Sequence, residues 1–213
     1  MAGTKKKFVE IDIIADTVCP WCFVGKRNLD KALEEGNDRY EFELRWHPFQ
    51  IDPEIPKEGT YKKEFYDTKM GADVAEVFET RMADIFSNHD MTYKIDGLTG
   101  NTIESHRLIY FAGLQDRDKQ HDLVDEICLG YFTDGRFIGD RDYLLKCAEK
   151  IEIEGAAEFL DDPNNGLTEV CSSPIPSCSN YFPSQANMLK DSKNQIEDCG
   201  IFVMILWFQN RPN

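Results

Sequence analysis

The chain has 213 residues, of which 24 are basic and 39 acidic, for a formal net charge of −15. Such a surface repels phosphate backbones and anionic lipid, which argues against nucleic-acid and membrane partners. The length suits one ordinary domain, or one carrying a large insertion, with a core of its own.

Lys5-Lys6-Lys7 precedes an apolar run as in a signal peptide, but Glu10 and Asp12 interrupt that run, so no export signal is expected. The apolar run Ile201 to Phe208 is far shorter than the ~20 residues of a membrane-spanning helix. A cytoplasmic setting is therefore expected, in which cysteines are by default reduced.

Phe8 to Ala15 is short and rich in β-branched residues and reads as a strand. Asp16-Thr17-Val18 turns the chain into Cys19-Pro20-Trp21-Cys22, and Phe23 to Leu33 continues as a helix that Gly36-Asn37-Asp38 ends. The dithiol thus stands where a strand hands over to a helix, with Pro20 in a first turn that tolerates a missing N–H. A sulfur there faces unpaired backbone N–H groups and the positive end of the helix dipole, both of which favour the thiolate. In such motifs the first cysteine falls from ~8.5 to roughly 3.5–7.5. Cys22 follows one turn later on the same face. Cys19 is then expected to be the exposed attacking thiol and Cys22 the resolving one, with Pro20 and Trp21 tuning the pair. A C-x-x-C can also be half of a zinc site, but the next cysteine is Cys128, and His47 and His106 stand alone, so no metal or other cofactor is expected.

Glu41 to Trp46 alternates charged and apolar residues as a half-buried strand does, and prolines 48, 53 and 56 make an extended exit. A strand–helix–strand unit with C-x-x-C opening the helix is the first half of a thioredoxin-like fold. From Thr60 to about Asp161 the pattern turns helical. Asp73-Val74-Ala75-Glu76 reads as a capping box before a stripe of Val74, Val77, Phe78, Met82, Ile85 and Phe86. Asn101-Thr102-Ile103-Glu104 reads as a second box, opening a helix through Ala112. Further helices carry Leu123 to Phe132 and Leu144 to Ile151. Cys128 and Cys147 fall on or beside their apolar stripes and are expected in the core. The expected divisions are 8–56 for the first thioredoxin half, 57–165 for an all-helical insertion, and 166–213 for the tail.

Four stretches carry a resemblance: Asp16 to Arg27, Trp46-His47-Pro48-Phe49, Asn101 to Ile109, and Gly130 to Gly135. Through them, residues 8 to 170 resemble the DsbA family, in particular its FrnE-like branch of soluble, non-exported members. The resemblance implies an α/β thioredoxin-like fold with a helical insertion and a protein disulfide oxidoreductase working through Cys19 and Cys22. It also implies that Trp46, Phe49 and His106 lie near the substrate cleft. The expected partner is a disulfide- or thiol-bearing protein or small molecule, glutathione included. Related glutathione-dependent isomerases and transferases share the architecture but use a serine where this chain has Cys19.

The tail departs from the family pattern, which returns to the sheet through a cis-proline segment, a strand pair and a final amphipathic helix. Only Ile175-Pro176 imitates that segment, and Ser177-Cys178-Ser179-Asn180 follows it rather than a strand. This ending is what a splice-type variant would produce. It predicts an incomplete sheet with an open edge on the first strand, and a chain that is catalytically impaired or acts by binding alone. Ile201 to Phe208 carries an aggregation signature unless something covers it.

Overall fold

The computed structural model describes residues 6–171 and the strand at 205–209. Strand β1 (Lys7–Ala15) leads through helix α1 (Pro20–Gly36) to β2 (Tyr40–Pro48), which lies parallel to β1 with Ile11 opposite Leu44 and Ile13 opposite Trp46. Period-two alternation decides the faces. Ile11, Ile13 and Ala15 are buried on the helix side. On the other face Arg45 pairs with Glu10 and Glu43, and His47 stands 2.7 Å from Asp12.

After β2 come β3 (Thr60–Tyr61), α2 (Lys62–Met70), α3 (Ala72–Ser87), β4 (Leu98–Thr99), α4 (Ile103–Gln115), α5 (Arg117–Thr133), α6 (Arg141–Lys150), α7 (Ala156–Asp161) and α8 (Leu167–Cys171). The insertion is thus helical apart from the two-residue ladder of β3 with β4, Thr60 opposite Thr99. Phe23 of α1 stacks on Phe132 of α5 at 5.6 Å and meets Phe86 of α3 at 6.0 Å, which joins insertion and sheet in one core. Each such buried ring contributes about 1.5–3 kcal/mol of transfer free energy. Cys128 and Cys147 are buried in that core, as their stripes imply.

Three local expectations need correction. Helix α3 begins directly after Gly71, so Asp73 lies in its first turn instead of capping it, and Val77 is exposed although it falls on the apolar stripe. At α4 the N-cap position is Thr102. It is Asn101 Oδ1 that accepts from the Ile103 N–H (2.9 Å), while Glu104 turns to bind Arg107. The largest correction concerns the sheet. Strand β5 (Ile205–Gln209) pairs antiparallel with β1 from Glu10 to Ile14, giving the order β2-β1-β5. The edge expected to be open on β1 is therefore filled by the tail. Ile175-Pro176 lies outside the described residues.

Two buried cations hold the insertion together. The Arg107 guanidinium binds Glu104, the Asn165 carbonyl (2.7 Å) and the Asp162 carbonyl, and so ties α4 to the loop between α7 and α8. Lys62 is fully buried. Its ammonium donates to the Tyr131 carbonyl in the last turn of α5 and stands 3.7 Å from the Tyr131 ring. Burial lowers its pKa to about 8, against an opposing pull from Asp96. The folded state therefore loses this proton before the unfolded chain does. The charge costs stability below about pH 8, and stability gains as pH rises from there toward the ordinary lysine value. In denaturant titrations between pH 7 and 10, the unaltered protein should gain on the order of 2 kcal/mol relative to Lys62→Met. Parallel pH profiles for the two proteins would refute a buried, partly neutral amine.

Candidate active site

Cys19 is the N-cap of α1 and Pro20 occupies the first turn. The Cys22 N–H donates to Cys19 Sγ at 3.4 Å, and the Cys19 N–H donates to the Asp16 carbonyl at 3.2 Å. The thiol of Cys19 thus takes the place of the oxygen that usually caps a helix and satisfies one of its unpaired N–H groups. Both cysteines are free thiols. Cys19 is not the exposed thiol the sequence suggests, because only 4% of it reaches solvent. The insertion stands close to it: Tyr66 of α2 is hydrogen-bonded to Tyr93, and burial first, then the Cys19 charge, push the Tyr66 phenol up. Burial also raises the Cys22 thiol well above its ordinary range, helped by its hydrogen bond to Cys19.

The turn before the dithiol is locked from α4. Asp16 is buried, its Oδ2 accepting from the Ile51 N–H at 2.7 Å and its Oδ1 lying 3.2 Å from His106 Nε2. That nitrogen also lies 3.1 Å from the Phe49 carbonyl. It faces two acceptors, so Nε2 carries the proton. Ser105 donates to the Thr102 carbonyl (2.9 Å), which leaves the Thr17 hydroxyl to donate to Ser105 Oγ, also at 2.9 Å. The cavity behind Cys22, about 20 Å³, is lined by Asp16, Lys26, Trp46, His106 and Cys128 among others, and has room for about one water.

Of the residues expected at the cleft, the structure brings His106 and Trp46 to the same cavity as Cys22, while Phe49 joins through its carbonyl. Trp46 is buried and faces inward. Its indole N–H donates to His121 Nδ1 at 3.1 Å, so His121 Nε2 carries the hydrogen that reaches Asp30 at 2.6 Å. Asp30 in turn pairs with the buried Lys26 at 2.9 Å. Trp21 is half-buried, with the Arg81 guanidinium over its ring at 5.6 Å.

Sequence reasoning passed over Asp16, Lys26, Tyr66, Arg81 and His121. Asp16 alone had a local signal, an acid between a buried strand and the dithiol. The partners of the rest are too far away in the chain.

A buried dithiol capping the first helix of a β–α–β unit defines a thioredoxin-like protein. A model of the DSBA-like thioredoxin domain matches residues 10–169, and the chain belongs to that family, whose members are disulfide oxidoreductases or isomerases. Among curated proteins it is 24% identical over 153 residues to the uncharacterized protein YwbO of Bacillus subtilis (strain 168), a match spanning 70% of this chain and 69% of that one. Among solved structures it is similar to the probable DsbA oxidoreductase SCO1869 of Streptomyces coelicolor, with a TM-score of 0.67 and 25% identity over 82% of this chain and 76% of that one. A 2-hydroxychromene-2-carboxylate isomerase shares the fold, with a TM-score of 0.55 at 12% identity over 93% of this chain and 87% of that one. Among the described residues no helix is long and apolar enough to cross a membrane.

Proposed function

We propose that this chain is a thiol–disulfide oxidoreductase in which Cys19 attacks and Cys22 resolves. The observation that carries the reading is the Cys22 N–H donating to Cys19 Sγ at the head of α1, a contact that strengthens when the sulfur is an anion. Cys19 thiolate displaces one sulfur of a substrate disulfide, forming a mixed disulfide and releasing the other half as a thiolate. Cys22 then gives up its proton and attacks Cys19 Sγ. The second substrate thiolate leaves, the substrate is reduced by two electrons, and the chain holds a Cys19–Cys22 disulfide. In this reading the Cys22 proton is taken up by the departing substrate thiolate, which leaves as a thiol. Pro20 and Trp21 set the geometry of the pair, and Trp46, Phe49 and His106 shape the wall behind it. The partner is a disulfide- or thiol-bearing protein or small molecule, glutathione among the candidates, in a cytoplasmic setting.

Equilibrium with glutathione redox buffers tests the reading. The protein should interconvert, with a two-electron transition between about −270 and −120 mV, between a dithiol and a species lighter by two hydrogens. Peptide mapping should place the bond between Cys19 and Cys22. A bond to Cys171 instead, or no transition in that range, would refute the assignment.

A further inference from the structure

Half-buried Arg81 differs from the arginines that form ion pairs. Arg27, Arg45, Arg107 and Arg141 each hold a carboxylate, at 3.0 Å for Arg27 on Asp125 and 2.7 Å for Arg107 on Glu104. Arg81 has no ion pair and no hydrogen bond among the described residues, in a chain whose acids outnumber its bases 39 to 24. Its own helix carries Glu76, Glu79 and Asp84, and none of them pairs with it. What it does contact is the face of Trp21, the residue between the two active cysteines, 5.6 Å from the ring centroid. A guanidinium is a planar fork of N–H donors matched to a carboxylate, and Arg81 commits none of its donors to a partner among the described residues.

Electrostatics gives this arrangement a use. A net charge of −15 repels small anions from the surface as a whole, so a carboxylate-bearing disulfide needs a local cation to settle against the dithiol. We propose that Arg81, held over the Trp21 ring, is the group that binds a substrate carboxylate, so that the site selects low-molecular-mass disulfides carrying carboxylates near the sulfur. This rests on the thiol–disulfide reading above and adds a substrate class to it. Arg81 orients the substrate and takes no part in sulfur transfer. Its removal should therefore act on binding and leave the maximal rate in place.

The test compares two probes with the full-length reduced protein, measuring thiol release in acid-quenched single turnovers. Oxidised glutathione carries carboxylates, and bis(2-hydroxyethyl) disulfide carries no charge. Arg81→Met should raise the half-saturating concentration of oxidised glutathione roughly tenfold, the scale of one charge-assisted hydrogen bond. The limiting rate should stay within about twofold, and the neutral disulfide should be unaffected. Arg81→Glu should weaken glutathione disulfide further, and Arg81→Lys should recover part of the loss. Lys31→Met, which removes an equal charge from an exposed position on α1, should have little effect. If Arg81→Met slows both probes alike, Arg81 only packs Trp21 and the proposal fails. It fails equally if neither probe responds, or if Lys31→Met matches Arg81→Met. Failure of the unaltered protein to reduce even the neutral disulfide would instead overturn the oxidoreductase reading itself.

Discussion

Replacing Cys19 with serine abolishes disulfide reduction, while replacing Cys22 with serine yields a protein that accumulates mixed disulfides with its substrate. The asymmetry follows from position on α1. Cys19 is the cap and receives the Cys22 N–H, so negative charge on its sulfur is stabilised by the helix end. Cys22 lies inside the first turn, where burial and the neighbouring sulfur hold it protonated until a mixed disulfide has formed. A serine hydroxyl at position 19 is not ionised at neutral pH, and turnover should fall on the order of a thousandfold or more. With serine at 22 the first displacement proceeds and the second does not. Mass spectrometry after mixing with oxidised glutathione should show one glutathione adduct per chain on Cys19. Equal trapping by the two variants would reverse or remove the assignment.

Deleting residues 172–213 lowers the melting temperature by roughly 5–20 °C, the scale of a ~2–5 kcal/mol loss in a domain of this size. The physical reason is the place of β1 in the sheet. It is the middle strand of β2-β1-β5, and the tail strand covers its second edge from Glu10 to Ile14. Without β5 that edge meets solvent beside Ile11 and Ile13, which are almost fully buried. The double change Leu206→Pro and Trp207→Pro keeps the chain length and removes ladder donors from β5, so it should reproduce most of the loss. Grafting a strand pair and helix of the family pattern after Val170 should raise stability and turnover above those of the unaltered chain, since among the described residues the tail adds one strand where the pattern supplies two. A truncated chain that melts with the unaltered one would show that β5 contributes nothing to the sheet.

The strand–helix handover at the dithiol, the alternation of β2 and the inward stripes of α5 and α6 were all legible from residue order. Each is a local matter of side-chain period and helix-end chemistry, decided within a few residues of chain. The burial of Cys128 and Cys147 followed from the same periodicity. The capping box at Asp73 was misplaced by two residues, since the N-cap position of α3 is Gly71, without a side-chain cap. The one at Asn101 was misplaced by one, since Thr102 holds the N-cap position while Asn101 Oδ1 takes the Ile103 N–H.

Other features had no local signal at all. The amide of Gln120 on α5 accepts from the Trp46 N–H (3.2 Å) and so covers a ladder position on β2. Asp16 receives His106 across ninety residues of sequence. Arg81 reaches Trp21 from a different helix, and β5 returns to β1 from the far end of the chain. The amino-acid order by itself determined a dithiol at a helix head, a parallel strand pair around it and a helical insertion. Only the tertiary structure decided how deeply Cys19 is buried, which polar groups surround it and whether the sheet's second edge is filled. Those outcomes depend on which distant surfaces exclude water together, and no short-range pattern encodes that.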